Sequence, residues 1–159
     1  MIKVIITSLL ILVLNGCSYE PILLKKNYQF DLVEINSEGE KKINEIIESK
    51  LLQNTKKTSE IKYKILFLSE KKREIVSSNR EGDPTIFKIT IKLKYNLREN
   101  DQIVLSNEIF KHSTYNNIKD KFELLEYEEN IIKNLSEKLS DDILISIKSS
   151  VKWYSKIFN

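Results

Sequence analysis

The stretch TIFKITIKLKYNL, residues 85–97, alternates strictly between two kinds of side chain. Its apolar members are Phe87, Ile89, Ile91, Leu93, Tyr95 and Leu97, and its polar members are Lys88, Thr90, Lys92, Lys94 and Asn96. A period of two is typical of a β-strand, because successive side chains point to opposite faces of the sheet. One face of this strand is therefore apolar and has to be buried against a second layer of structure.

Three further segments show strand patterns of lower regularity. Residues 28–35 alternate with one step out of phase, residues 61–67 alternate between apolar side chains and lysine, and residues 103–115 alternate more weakly. The last of these follows a turn at residues 99–101, so we expect it to pair antiparallel with the strand at residues 85–97. Together these segments predict a four-stranded sheet.

Two segments have the 3.6-residue spacing of amphipathic helices. The first is expected to begin at Ser37 and Glu40, whose spacing matches a capping box, and to continue to residue 54. The second is expected to begin after Asp120, which is placed to act as a helix N-cap. Its predicted apolar stripe consists of Phe122, Leu125, Ile132, Leu135, Leu139, Ile143 and Ile147. Both stripes are apolar enough to pack on a sheet.

These elements predict the order strand, helix, three antiparallel strands, helix. The expected fold class is α+β: a two-layer sandwich in which a four-stranded, mostly antiparallel sheet carries two helices packed on one face. The opposite face of the sheet is left free. Residues 28–159 are expected to form this single domain, since a chain of this length is the size of one domain and shows no internal repeat.

The N-terminal residues have the layout of a signal peptide. Lys3 precedes an apolar run at residues 4–14 that falls well short of the ~20 residues needed to cross a bilayer. Leu-Asn-Gly-Cys at residues 14–17 resembles a bacterial lipobox, which predicts that residues 1–16 are removed and that Cys17 carries a covalent lipid. The alternative is a simple secretory signal followed by an incidental cysteine. Residues 17–27 are then a lipidated tether.

Several functional classes are disfavoured by what the sequence contains. The 26 Lys and Arg nearly balance the 23 Asp and Glu, so the chain lacks the strong positive charge typical of nucleic-acid binders. A single cysteine excludes multi-thiolate metal sites, and the lone His112 has no ligand spacing around it. We therefore expect no enzyme, no metal and no cofactor apart from the lipid on Cys17.

Residues 77–85, SSNREGDPT, form a predicted hairpin turn between two long strands. Arg80 is expected to project at its tip, where a guanidinium is well shaped to bind an anionic headgroup. The lysines at positions 88 and 92 belong to the polar side of the following strand and are candidates for the same ligand. The alternatives are a solvated turn for Arg80 and protection against aggregation for the lysines.

Three stretches together resemble the LPS-assembly lipoprotein LptE family. They are NGCSYEPIL, VSSNREGDPTIFKITIKLKYNL and TYNNIKDKFELLEYEENIIKNLSEKLSDDILISI. The resemblance covers most of the mature chain in element order. It implies an outer-membrane lipoprotein on the periplasmic side, which plugs and supports assembly of the LptD β-barrel and assists insertion of lipopolysaccharide at the cell surface.

The resemblance also implies a role for one basic residue. Arg80 matches the family's lipopolysaccharide contact at the hairpin end, and Lys88 and Lys92 are expected to aid it in binding lipid phosphates. The alternative function is an auxiliary lipoprotein of an ABC-type envelope transport system, which also begins with a lipidated cysteine and has a small α/β domain. The two hypotheses differ in the partner that they predict.

Overall fold

The computed structural model describes the backbone of residues 30–157 and the side chains of residues 30–150. The strands are β1 (Asp31–Gly39), β2 (Lys62–Ser78), β3 (Pro84–Glu99) and β4 (Gln102–Asn116), and the helices are α1 (Lys41–Asn54) and α2 (Lys121–Ile157). The predicted signal peptide, the tether and Cys17 lie outside the described residues. In the part of the chain that is described, neither helix is long and apolar enough to cross a membrane.

The four strands form one sheet in the order β1-β2-β3-β4. Strands β2, β3 and β4 pair antiparallel, whereas β1 pairs parallel to β2 after the chain has crossed over through α1. Parallel neighbours need such a crossover, because the chain has to return to the starting end of the sheet. The predicted α+β class with a mostly antiparallel sheet is confirmed.

The core lies between one face of the sheet and the two helices. The apolar residues of β3 predicted to share a face are all buried, and they pack with apolar residues of β2 such as Ile65 and Phe67. Helix α2 contributes Leu135, Leu139 and Ile143 from the other layer. The polar side of β3 faces away from the helices, so among the described residues one face of the sheet is uncovered, as predicted.

The junction between β1 and α1 differs from the prediction. Ser37 does not cap the helix: it lies in β1 opposite Phe67 of β2, and its hydroxyl donates a hydrogen bond to Glu48. The helix N-cap is Glu40, which makes no side-chain cap bond, and its backbone amide donates to the hydroxyl of Ser69 at 3.0 Å. Pairing with β2 extends the strand through the predicted cap, since a parallel ladder satisfies the same backbone groups.

Gly39 makes the turn from β1 into α1. Its φ of +98° lies in the left-handed region that favours glycine. A Cβ at this position would overlap the backbone carbonyl of Ser69, so the close approach of the two chain segments also requires glycine. Two independent constraints therefore select the same residue.

Helix α2 begins where it was predicted, but the residues of its first turns that are buried are not the predicted ones. Asp120 accepts hydrogen bonds from the amides of Phe122 at 2.8 Å and Glu123 at 3.1 Å, which is N-cap geometry. Phe122 and Leu125 were predicted to lie on the buried stripe, but they are 77% and 61% exposed. Leu124 is buried instead. The buried stripe shifts in phase along the helix, so the apolar residues of the first turn are left on the outer side.

The two helices run in the same direction and are joined by ion pairs. Lys42 contacts Glu129 at 2.7 Å near the start of α1, and Lys50 contacts Asp141 at 3.0 Å further along both helices. The Lys50 ammonium also donates to the backbone carbonyl of Glu137 at 3.0 Å. These contacts fix the register between α1 and α2 over the sheet.

Two edges of the sheet are open among the described residues. Strand β1 ends at Gly39, opposite Ser69, so β2 has no strand on that side from there to Ser78. Strand β4 pairs with β3 alone and forms the other edge along its whole length. The β2–β3 hairpin therefore extends past β1, at the opposite end of the sheet from the start of β1.

Candidate functional site

The hairpin tip that joins β2 to β3 is an ordered turn organised by Asn79. The side-chain oxygen of Asn79 accepts hydrogen bonds from the backbone amides of Glu81 at 3.1 Å and Asp83 at 2.7 Å, and the backbone N–H of Asn79 donates to the backbone carbonyl of Asp83 at 2.9 Å. Gly82 adopts a φ of +91°, which closes the turn. Arg80 is thus held on a turn with a defined backbone.

Arg80 is exposed, as predicted. Among the described residues, no ion pair or hydrogen bond involves its guanidinium. The neighbouring cations on β2 differ in this respect: Lys71 contacts Glu40 at 3.6 Å, Lys72 contacts Glu74 at 2.8 Å, and Arg73 contacts Glu128 at 2.9 Å. Each of these three cations of β2 therefore has a carboxylate partner. Arg80 is consequently the available cation of this turn.

Arg73 belongs to a cluster beneath the hairpin that sequence reasoning did not find. Its guanidinium carbon lies 3.7 Å from the centroid of the Phe87 ring, and its Nε donates to Glu128 at 2.9 Å and to the Tyr115 hydroxyl at 3.2 Å. The Tyr115 hydroxyl donates in turn to Glu128 at 2.6 Å. Burial and this bond to Glu128 raise the pKa of Tyr115 to about 12. The cluster connects β2, β3, β4 and the start of α2.

Lys88 and Lys92 belong to β3 and lie on the open face of the sheet. Lys88 contacts Glu74 of β2 at 3.2 Å, and Lys92 contacts Glu108 of β4 at 2.8 Å. The hydrogen bond between Lys92 and Glu108 lowers the pKa of the carboxyl and raises the pKa of the ammonium. Glu108 also contacts Lys94 at 3.6 Å. The lysines are therefore charge-compensated across the strands.

The structure places the three predicted lipid-binding residues along a line rather than in one cluster. Lys88 and Lys92 follow the start of β3 at Pro84 by four and eight residues. With a rise of about 3.3 Å per residue, they lie roughly 13 and 26 Å along the strand from the turn that holds Arg80. A ligand that contacts all three has to be extended.

A groove on the sheet was not anticipated from the sequence. It has a volume of about 560 Å³ and is lined by residues from all four strands. Leu66 and Leu68 of β2 are apolar members of its lining, and Lys94 and Glu108 are charged members. The signal that locates this groove is the register between strands, which brings distant residues together and cannot be read from one strand.

His112 lies on β4, where its ring stacks beside Phe110 with the centroids 6.5 Å apart. Within residues 30–150, no group of three or more His, Cys, Asp and Glu side chains is arranged to hold a metal ion. Cys17, the predicted lipid attachment site, is not among the described residues.

Comparison with known proteins identifies the fold. No protein-family model matches the chain, and no curated protein matches it in sequence. Its structure is similar to that of rare lipoprotein B from Shewanella oneidensis, with 14% identity and a TM-score of 0.63 over 79% of this chain and 98% of that one.

Two other bacterial lipoproteins have a similar structure. An uncharacterized lipoprotein B from Nitrosomonas europaea matches with 14% identity and a TM-score of 0.59, over 81% of this chain and 91% of that one. A minor lipoprotein from Acinetobacter baumannii matches with 10% identity and a TM-score of 0.56, over 77% of this chain and 92% of that one. The chain therefore has a fold that is found in bacterial lipoproteins.

Proposed function

We propose that this chain is an outer-membrane lipoprotein of the LptE type. In this proposal a lipid on Cys17 anchors it on the periplasmic side of the membrane, and the folded domain plugs the LptD β-barrel and supports its assembly. Its hairpin tip binds lipopolysaccharide and assists the insertion of that lipid at the cell surface. The proposal requires no catalytic residue and no cofactor besides the covalent lipid.

Two kinds of observation support an anchored lipoprotein. The lipobox-like sequence that ends at Cys17 is independent of the fold, and the fold is similar to that of three bacterial lipoproteins. A sequence signal at the N-terminus and a structural similarity in the domain thus agree on the class of protein. The specific role in lipopolysaccharide transport rests on the hairpin and on the family resemblance of the sequence.

The observation that carries the lipid-binding role is Arg80 on an ordered turn, where its guanidinium pairs with no carboxylate of the described residues. A guanidinium without a carboxylate partner has its donors free for a phosphate, and its forked geometry suits bidentate contact. The Asn79-centred hydrogen bonds hold the backbone of the turn, so little order has to be gained when a ligand binds. The paired cations of β2 lack this availability.

Lys88 and Lys92 take a secondary part in the proposal. Each has to exchange its contact with Glu74 or Glu108 for a lipid phosphate, and exposed ion pairs of this kind contribute only about 0–1 kcal/mol. The free-energy cost of that exchange is therefore small. The lysines therefore extend the binding surface along the open face after Arg80 has made the first contact.

The test of lipid binding is a titration of the purified full-length protein with lipopolysaccharide. We expect Arg80→Ala to weaken binding several-fold and to leave thermal unfolding nearly unchanged, because the side chain is exposed and forms no hydrogen bond or ion pair with the described residues. Lys41→Ala is the control, since Lys41 is an exposed cation of α1 that pairs with Glu45 and shares no partner with the proposed lipid-binding residues. An unaltered isotherm for Arg80→Ala removes Arg80 from the proposed site.

The test of the partner is affinity purification of the lipidated protein from detergent-solubilised membranes, followed by mass spectrometry. A large outer-membrane β-barrel recovered in near-equal amount supports the plug role. Recovery of an inner-membrane ABC transporter instead supports the alternative function and overturns the LptE-type proposal. The two outcomes differ in the identity of the recovered protein, so neither depends on the lipid titration.

A further inference from the structure

Four large apolar side chains are exposed together at the hairpin end of the domain. Ile75 and Val76 belong to the last part of β2, Phe122 and Leu125 belong to the first turns of α2, and each is more than half exposed. Single apolar residues on a surface are normal, but a group of them at one place marks a site of contact. We call these four residues the apolar shelf.

The first turns of α2 lie against the same end of the sheet as the hairpin. The backbone amide of Asn117, which precedes α2, donates to the carbonyl of Thr85 at the start of β3 at 2.8 Å. The rings of Tyr115 and Tyr127, with centroids 6.0 Å apart, join β4 to α2 further along. The start of α2 is therefore held next to the turn that carries Arg80.

The contact between Arg73 and Glu128 shows how the two halves of the shelf are arranged. Leu125 precedes Glu128 by three residues and lies on the same side of α2. Ile75 follows Arg73 by two residues and lies on the same face of β2. Both steps lead toward the hairpin, by about 4.5 Å along the helix and about 6.6 Å along the strand. Ile75 and Leu125 therefore flank the same opening between sheet and helix.

Neither β1 nor α1 reaches this opening. Strand β1 ends at Gly39, opposite Ser69, and α1 begins at Lys41 and returns the chain to the start of β2. Residues 73–78 of β2 extend beyond both elements. Within residues 30–150, the shelf is thus open on the side away from α2.

We propose that the apolar shelf binds the acyl chains of the lipid whose phosphate is bound by Arg80. The proposal rests on the proposed function and extends it from the headgroup to the whole lipid. In such a ligand the anionic headgroup is covalently joined to acyl chains, so a phosphate at Arg80 brings acyl chains to the same end of the domain. A cation beside exposed apolar side chains matches both parts of this molecule.

The distances fit a lipid of ordinary length. An extended acyl chain is roughly 15 Å long. Val76 precedes Arg80 by four residues, which places it at most about 13 Å away even in a fully extended strand. A chain that starts at the phosphate therefore reaches the shelf, and the opening between Ile75 and Leu125 lies in its path.

The test is titration of the purified full-length protein with two probes. One is intact lipopolysaccharide, and the other is the same lipopolysaccharide after chemical removal of its acyl chains, which keeps its phosphates. Leu125→Gln removes an apolar side chain of the shelf. Ile145→Gln is the matched control, since Ile145 is an exposed apolar residue of the same helix about 30 Å further along it.

We expect Leu125→Gln to weaken binding of the intact lipid roughly five- to tenfold, because the acyl chains then cover a polar side chain. Binding of the deacylated probe is expected to stay unchanged. Ile145→Gln is expected to alter neither affinity. Thermal unfolding of both variants is expected to stay nearly unchanged, since both side chains are exposed.

The two probes distinguish failure of this proposal from failure of the proposed function. If Arg80→Ala weakens binding of both probes but Leu125→Gln binds the intact lipid as tightly as the unmodified chain, the acyl-chain site is overturned and the headgroup contact stands. If Arg80→Ala changes the affinity for neither probe, the headgroup contact is overturned, and the acyl-chain proposal that rests on it falls as well.

The occupant of the shelf is identified by photocrosslinking in intact envelopes. A photoreactive phenylalanine analogue in place of Phe122 is expected to form an adduct with lipopolysaccharide, whereas the same analogue in place of Ile145 is expected to form none. A protein adduct from position 122 without a lipid adduct overturns the proposal, because the shelf then belongs to a protein interface. Equal lipid adducts at both positions overturn it too.

Discussion

Arg73 lies over the aromatic ring of Phe87, with its guanidinium carbon 3.7 Å from the ring centroid. The two residues are diagonal neighbours on β2 and β3, and Glu128 holds the other side of the guanidinium from helix α2. Strand and helix layers are thus joined through one cation next to the hairpin that carries Arg80.

We expect Arg73→Ala to lower the free energy of unfolding by about 1–3 kcal/mol. The change removes a cation–π contact and a charge-assisted hydrogen bond, and it leaves the carboxylate of Glu128 without its cation. Urea denaturation measures the loss. Lys72→Ala, one residue away on the exposed face, is the control and is expected to cost about 0–1 kcal/mol. Similar losses for both variants contradict a structural role of the cluster.

Gly39→Ala is expected to destabilise the protein by about 3 kcal/mol or more. The new Cβ meets both an unfavourable positive φ and the backbone of Ser69, which cannot move without shifting β2. Gly82→Ala separates these two causes, because Gly82 has a similar φ of +91° and no atom within 4 Å of the added Cβ. That variant is expected to lose only about 1 kcal/mol. Equal denaturation midpoints for the two variants exclude the steric cause.

Tyr115 is expected to make stability depend on pH in the alkaline range. Its pKa is raised from an ordinary value near 10 to about 12, chiefly by burial, so the folded state favours the protonated hydroxyl. The associated stabilisation is present below pH about 10 and is lost as the pH rises through about 12. Denaturation curves across this range measure the loss. Tyr115→Phe is expected to show a smaller dependence, and an identical dependence in both proteins contradicts the assignment.

Glu108→Gln is expected to strengthen lipopolysaccharide binding by up to about fivefold. The substitution releases Lys92 and Lys94 from an exposed ion pair whose contribution is at most ~1 kcal/mol. Glu34→Gln is the control: it removes the carboxylate of β1 that pairs with Lys64 of β2, and it is expected to leave the affinity for lipopolysaccharide unchanged. Titration of both variants with lipopolysaccharide compares their affinities. Unchanged affinity for Glu108→Gln together with unchanged affinity for Lys92→Gln excludes Lys92 from the binding surface.

The strand at residues 85–97 was predictable because its signal is local. Each apolar residue from Phe87 to Leu97 alternates with a polar one, and all of them are buried in the structure. The N-cap at Asp120 was predictable for the same reason, since a cap depends on amides only two and three residues away. Short-range physics is sufficient for features of this kind.

The features that were predicted wrongly depend on distant residues. Ser37 has the spacing of a capping box, but pairing with Phe67 on β2 keeps it in a strand. Phe122 and Leu125 are apolar, but the way that α2 crosses the sheet leaves them outside the core. In both cases the tertiary contact overrides the local preference, and the chain near these residues does not reveal it.

The candidate site also has features that depend on nearby residues and features that depend on distant ones. The exposed position of Arg80 was predictable from the turn residues around it, because Asn, Gly, Asp and Pro mark a hairpin tip. The carboxylates that pair with Lys88 and Lys92 were not, because Glu74 and Glu108 lie on the two neighbouring strands and meet the lysines only through the register of the sheet. The sequence therefore shows where the basic residues are, but only the register of the sheet shows which of them already have a carboxylate partner.

The length of β2 sets the distance between the two ends of the domain. The strand runs from Lys62, beside the start of β1, to Ser78 at the hairpin, a total of 17 residues. At about 3.3 Å per residue this is roughly 55 Å, whereas the hydrocarbon core of a bilayer is about 30 Å thick. Phe30 and Arg80 lie at opposite ends of this span. The two ends of the domain are therefore farther apart than the hydrocarbon core of a bilayer is thick.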